Sequence, residues 1–398
     1  MRVLLLLSLL LVGCRPAAQD TLILISIDGF RAQYMHDVDL PALSDLAAGG
    51  VWAPDGLTPV FPSKTFPNHY TTATGLYPAK HGIVANTMYD SELDAWFRIS
   101  DRDAVEDPRW WGGEPIWVTA EAQGQTAATF FWVGSEAPVK GRQATHWFRH
   151  DAAVPGEDRV AQVLEWLDLP VDERPTVITL YFSDVDTKGH LFGPRSTETE
   201  AALQAVDNHI ARLLGGLRQR ELLSTTNLVL TSDHGMSEVD PTAVSYLEDV
   251  MGPDDGQVID LSPILAIRPA PGREDMVRDA VRSLEGVDLL SHTELADLHY
   301  TGHHRIPAVI GLAREGWTVL PTRDRHREIG SPNPGNHGYH PHLPAMAGLF
   351  IAAGPAFHSG VRVESFESVH VYNLLTEVAG LTPAPNDGDI AVVTPFLR

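Results

Sequence analysis

Three stretches of this chain are short, apolar and rich in β-branched residues, and each runs into an aspartate. They are TLILISID to Asp28, TVITLYFSDVD to Asp186, and NLVLTSDHG through Asp233. Runs of this length and content suit strands buried on both faces, as in parallel sheets. AATFFWVG and GLFIAAGP read the same way. Between them, EDRVAQVLEWL and TEAALQAVDNHIARLLGGLRQREL space their apolar residues at helical intervals, with Thr199 as the expected cap of the second. Strands alternating with helices predict an α/β fold, a mostly parallel sheet flanked by helices. Ligands of such sheets collect beyond the carboxyl ends of the strands, where these three aspartates would stand.

At 398 residues and 43% hydrophobic, the chain can bury a sizeable core as one large domain or two unequal ones. No stretch repeats at a fixed period, which argues against a solenoid or propeller. A formal charge of −23 disfavours a stable nucleic-acid partner held by a basic surface. It leaves room for an anionic substrate, because bound cations can dominate the local field.

The N-terminus, MRVLLLLSLLLVGC, places one arginine before an apolar run from Val3 to Val12 that is too short to cross a bilayer as a helix. We expect an export signal here. Gly13 before Cys14 resembles a bacterial lipoprotein signal, in which the cysteine becomes the lipidated first residue. Cys14 is the chain's lone cysteine, so an internal disulfide has no partner. The expectation is an exported bacterial protein, periplasmic or outer-membrane and cell-surface, attached to the membrane through lipidated Cys14. Residues 1–19 would be signal and tether, 20–236 and 334–398 the catalytic α/β domain. Residues 237–333, with PILAIRP, REDMVRDAVRSLEG and IPAVIGLAREGWTVL, would form a small α+β cap-like insertion.

The candidate metal ligands are Asp28, Asp186, His190, Asp233, His234 and His337. In DTKGH, Asp186 and His190 stand four apart and can share a cation if the segment is helical. SDHG offers adjacent Asp233 and His234 at a strand end, and GNHGYHPH offers His337 between residues that let the backbone come close. Each fragment alone is as readily a cap, a turn or a surface histidine. Beside them, Pro67 in KTFP presets φ for a helix start, which puts Thr65 at a helix N-terminus where exposed N–H groups favour phosphate.

Taken in order, DGFR, FPSKTFPNHYTTATGLYPAKHGIVANTMYD, DVDTKGH, SDHGM and GNHGY resemble the nucleotide pyrophosphatase/phosphodiesterase family of the alkaline phosphatase superfamily, from about Leu22 to the C-terminus. The resemblance implies an alkaline-phosphatase-like fold and two Zn2+ ions. One would be held by Asp186, His190 and His337, the other by Asp28, Asp233 and His234 with the Thr65 oxygen. Mixed imidazole and carboxylate ligation suits zinc and is compatible with Mn2+ or Fe. It further implies that Thr65, activated by a dication, attacks phosphorus to form a phospho-threonine intermediate. Asn86 would stabilise the phosphate oxygens. Phe66 and Tyr181 match the aromatic pair that sandwiches a nucleobase, and Lys64 would add charge near the substrate.

Thr65-Phe66-Pro67-Asn68-His69 lacks the cysteine or serine, and the arginine, that a sulfatase needs. The expected reaction is hydrolysis of nucleotide phosphodiester and pyrophosphate bonds, releasing nucleoside monophosphates. The alternatives are a type C phosphodiesterase on glycerophosphodiesters or lipid headgroups and, from another class, a non-catalytic ligand-binding surface lipoprotein. His340 and His342 compete with His337 as ligands, and His303 with His304 forms a polar pair in the insertion.

Overall fold

The structure is a computed structural model and describes residues 20–398. The signal, the tether and Cys14 lie outside the described residues.

The strand Thr21–Ile27 is buried along its whole length, and its two faces feed two separate cores. Leu22 and Leu24 join the core that contains Trp117 and Tyr372. Ile23, Ile25 and Ile27 join the one built with Val160, Leu203 and Ile210. That alternation follows from the two-residue period of a strand, and it requires helices on both sides. The helices Gly156–Leu167 and Thr197–Gln219 cover one face, Ile116–Ala122 and Val371–Val378 the other. Complete burial of one such isoleucine contributes about 1.5–3 kcal/mol.

The central sheet runs Val361–Arg362, Val51–Trp52, Phe350–Ala353, Thr226–Thr231, Thr21–Ile27, Val177–Phe182, Ala127–Phe130, His146–Phe148. Ile25 aligns with Leu180 on one side and Leu230 on the other, so the three aspartate-bearing segments leave the sheet at the same edge. The sheet is mixed. Phe350–Ala353, within GLFIAAGP, runs antiparallel to Thr226–Thr231 and to Val51–Trp52. An apolar run buried on both faces specifies burial and carries no direction, which is why its sequence reads as a parallel strand.

Two local expectations are also corrected. Ser196, not Thr199, caps the long helix, accepting the Thr199 N–H at 3.1 Å. Asp186 is not at a strand end: the strand stops at Phe182, and Asp186 lies in the first turn of the helix Asp184–Phe192.

Within residues 237–333 a second sheet forms, ordered Gly256–Asp260, Ile264–Pro269, Val309–Ala313, Val287–Leu289 and antiparallel throughout. One face packs on the helix Glu274–Ser283 through Leu265, Ile267, Val277 and Val281. The other turns Ile264, Ala266 and Ile310 into the core shared with the main sheet. Arg305 ties the two together, pairing with buried Asp90 at 2.6 Å and donating to the Gly82 and Trp110 carbonyls. Where the chain leaves and returns, Ser237–Glu238 pairs with Gly335–Asn336.

Candidate active site and metal centre

Four chain segments converge beyond the carboxyl edge of the central strands. Asp28 directly follows Thr21–Ile27. Gly29 turns the chain there at φ 67°, and a Cβ on it would lie 2.9 Å from the Asp186 Cα, so only glycine lets these two segments meet. The Asp186 N–H donates to the Asp28 carbonyl at 3.1 Å. Asp233 and His234 follow Thr226–Thr231, and Asp233 Oδ1 accepts the Gly29 N–H at 3.3 Å. Asp186 and His190 face each other across one helical turn, 3.4 Å apart. His337 arrives from the loop after Gly335–Asn336, with its Nε2 3.7 Å from Asp186.

The imidazoles share one arrangement. Nδ1 of His190, His234 and His337 donates to the carbonyl of Gly335, Gly235 and Ser63 respectively, at 2.8–2.9 Å. Each ring is thereby fixed with its Nε2 lone pair turned inward, the usual support for a metal-binding histidine.

Facing those lone pairs are carboxylate oxygens with no hydrogen-bond partner among the described residues: Asp28 Oδ1, Asp186 Oδ1 and Asp233 Oδ2. His234 Nε2 lies 2.9 Å from Asp233 Oδ2 and 3.6 Å from Asp28 Oδ1. Lone pairs aimed at anionic oxygens repel unless a cation or proton lies between them. The donors fit metal ions. Asp186, His190 and His337 form one group within 4.8 Å of one another; Asp28, Asp186 and His234 form another; Asp28, His69 and Asp233 a third.

Electrostatics report the same crowding. Burial, followed by the charges of Asp233 and Asp186, pushes the Asp28 carboxyl well above the usual carboxylate range. Burial also raises Asp186. Asp233 goes the other way: burial would raise it, but His234 and His69 hold it well below its ordinary value. Burial, with His234 and His190 nearby, drives His337 well below the ordinary histidine value. Several buried acids this close cannot all be ionised without added positive charge.

Thr65 begins the helix Thr65–Thr74, and its Oγ1 is 3.3 Å from His234 Nε2. Asn68 fixes the approach to that helix: its Nδ2 donates to the carbonyls of Val60, Pro62 and Lys64, and its Oδ1 accepts the Val60 N–H. Lys64 occupies the cap position without a side-chain cap. Asn86 takes the Phe66 N–H, Pro67 has none and the Asn68 N–H donates to the Lys64 carbonyl, so the Thr65 N–H is the first-turn donor left for a ligand. Asn86 Oδ1 accepts the Phe66 N–H at 2.9 Å, so the asparagine's NH2 is left as its donor beside Thr65. Asp28, Asp233, His234 and His337 are buried, whereas Thr65, Asp186 and His190 are half-buried. The site opens on their side.

Phe66 is half-buried against Phe97 and Trp111. Tyr181 departs from its expected role. It is 7% exposed, its ring meets His69 edge-on, and its hydroxyl donates to Asp28 Oδ2 at 2.5 Å. Its place in an inward-facing strand makes it a support for a carboxylate. Lys64 is buried and ion-paired with Asp260 of the second sheet. His340 and His342 contact each other, and His304 lies against Asp90; none joins a metal-suited group among the described residues. Sequence reasoning missed His69, whose Nδ1 meets the Thr65 carbonyl at 2.9 Å and whose Nε2 meets Ser26 Oγ at 2.8 Å. Its signal was available: it stands one helical turn after Thr65.

A mixed sheet between helix layers, with carboxylates and imidazoles clustered beyond its strand ends, defines an alkaline-phosphatase-like α/β protein. A family model described as type I phosphodiesterase / nucleotide pyrophosphatase matches residues 22–340. Venom phosphodiesterase CdcPDE of Crotalus durissus collilineatus is 39% identical over 93% of this chain, and human ectonucleotide pyrophosphatase/phosphodiesterase family member 1 is 37% identical over 94%. The chain spans 45% and 41% of the length of those two relatives. Murine ectonucleotide pyrophosphatase/phosphodiesterase 5 superposes with a TM-score of 0.89 at 32% identity, covering 96% of this chain and all of that one, and an inactive form of it has been solved with AMP. This chain belongs to the type I phosphodiesterase / nucleotide pyrophosphatase family.

Proposed function

We propose that the protein is a metal-dependent hydrolase that cleaves phosphodiester and pyrophosphate bonds of nucleotides and releases nucleoside monophosphates. The observation that carries this reading is the cluster of carboxylate oxygens, without hydrogen-bond partners among the described residues, and inward-turned Nε2 atoms beside Thr65 Oγ1. Asp186, His190 and His337 would hold one cation; Asp28, Asp233 and His234, with Thr65, would hold a second, zinc being best suited to such donors. Bound there, the ions would supply Lewis-acid stabilisation of charge on the attacking and leaving oxygens.

The chain's own groups then divide the work. Thr65 Oγ gives up its proton to solvent water and bonds to phosphorus as the ester or anhydride oxygen of the leaving group departs with the bonding electrons and is protonated from solvent. Water next attacks the phospho-threonine, the P–O bond to Thr65 breaks, and the hydroxyl is regenerated. The Asn86 NH2 and the Thr65 N–H at the helix start would hold non-bridging phosphate oxygens. The half-exposed Phe66 ring offers a nucleobase a stacking surface contributing about 1–3 kcal/mol. The AMP complex of the murine relative supports a nucleotide.

With Tyr181 occupied at Asp28, base stacking has one aromatic fewer than the sequence suggests, which keeps glycerophosphodiesters as the second reading. Export and lipidation at Cys14 are part of the proposal.

The test is turnover on ATP, dinucleotides, glycerophosphocholine and aryl diesters with metal content measured, together with Thr65→Ala. That variant is expected to bind metal and to lose turnover. Full activity in it would remove Thr65 as the nucleophile, and a preference for glycerophosphocholine over every nucleotide would install the second reading.

A further inference from the structure

Lys64 directly precedes Thr65, and its ammonium ends on the carboxylate of Asp260, the last residue of the second sheet's strand Gly256–Asp260. The two side chains are 9% and 17% exposed. The second oxygen of Asp260 accepts the Leu261 N–H at 2.8 Å, which fixes the carboxylate's orientation. The lysine stem lies over Gly338, where a Cβ would come 3.2 Å from Lys64 Cε, and Gly338 directly follows His337. The lysine is therefore the chain neighbour of Thr65 and packs on the residue after His337, and its acidic partner comes from a different part of the fold.

An isolated ammonium beside Thr65 would add a full positive charge to the field that attracts substrate, favouring each further negative charge the substrate carries. Paired with a carboxylate, it leaves only a dipole, whose field falls off faster with distance. We propose that Asp260 is a specificity-determining residue: by neutralising Lys64 it lets the site accept singly charged diesters without a strong bias toward polyphosphates. This rests on the phosphodiesterase reading above.

The experiment measures kcat/KM for ATP and for bis(p-nitrophenyl) phosphate with metal-loaded wild type, Asp260→Asn, Lys64→Met and the double variant. In Asp260→Asn the ATP-to-diester ratio should rise roughly three- to tenfold, the effect of one unit charge acting across about 10 Å of partly screened medium. The rise should shrink as salt is raised. Lys64→Met should lower the ratio by leaving Asp260 unpaired, and the double variant should return it to the wild-type value. A purely structural pair would instead reduce both substrates together, with a ratio insensitive to salt, and that result overturns the inference. Wild type that hydrolyses neither substrate overturns the phosphodiesterase reading, and the inference with it. Wild-type turnover with an unchanged ratio in Asp260→Asn overturns the inference alone.

Discussion

Tyr181→Phe removes one hydroxyl, leaves the ring in place, and separates two roles that sequence alone confuses. The hydroxyl donates to Asp28 Oδ2 at 2.5 Å, with Tyr181 7% and Asp28 2% exposed. Burial, then the Asp28 charge, keeps the phenol well above its ordinary pKa, so it remains a donor at any working pH. A hydrogen bond to a charged acceptor contributes about 1.5–3 kcal/mol, and water has little access to replace it. That bond also works against the upward pressure of burial and neighbouring acids on the Asp28 carboxyl. Without it Asp28 holds its proton more firmly, and protons compete better with a cation for the same oxygens. At about 1.4 kcal/mol per tenfold change, the expected loss in metal affinity near neutral pH is about 10- to 100-fold, the range typical for removing a ligand's supporting partner. The assay is competitive titration of metal-stripped protein against a chromogenic chelator, paired with KM values for a nucleotide and an aryl diester. Affinity should fall while the ratio of the two KM values stays level. Unchanged metal affinity with a selective loss of nucleotide binding would refute this reasoning and return Tyr181 to the base.

Phe66→Ala should weaken hydrolysis of ATP and dinucleotides about 5- to 100-fold relative to a simple aryl diester, given a stacking contribution of about 1–3 kcal/mol; equal losses on both would argue against stacking. Metal removal should couple to pH. Because Asp28 and Asp186 are raised in the metal-free fold, the folded form binds more protons than the unfolded chain above the ordinary carboxylate range, and metal-free stability falls as pH rises through that window. Asp233, held low, loses its contribution only at lower pH, as it is protonated. The Tm gap between loaded and metal-stripped protein should therefore widen from mildly acidic to neutral pH, and a gap independent of pH would count against these carboxylates as ligands. Cys14→Ser should release the protein from membrane fractions, and continued membrane association in fractionation would oppose lipidation.

The sequence by itself determined the strands Thr21–Ile27, Val177–Phe182 and Thr226–Thr231 and most of the acidic and imidazole residues that gather beyond them. Seven buried residues from Thr21 to Ile27 leave little choice but a two-sided core, and Asp186 and His190 at helical spacing leave little choice but a shared face. Those are local facts, written in period and residue type. Tertiary structure decided direction and partnership. Apolar burial does not encode strand polarity, so only the assembled sheet shows Phe350–Ala353 running antiparallel. Likewise, nothing in the run VITLYF says that the Tyr181 hydroxyl will meet a carboxylate 153 residues away, or that Lys64 will meet Asp260 across 196. Hydrogen bonds and ion pairs reach only about 3–4 Å, so their partners exist only once distant segments have been packed together.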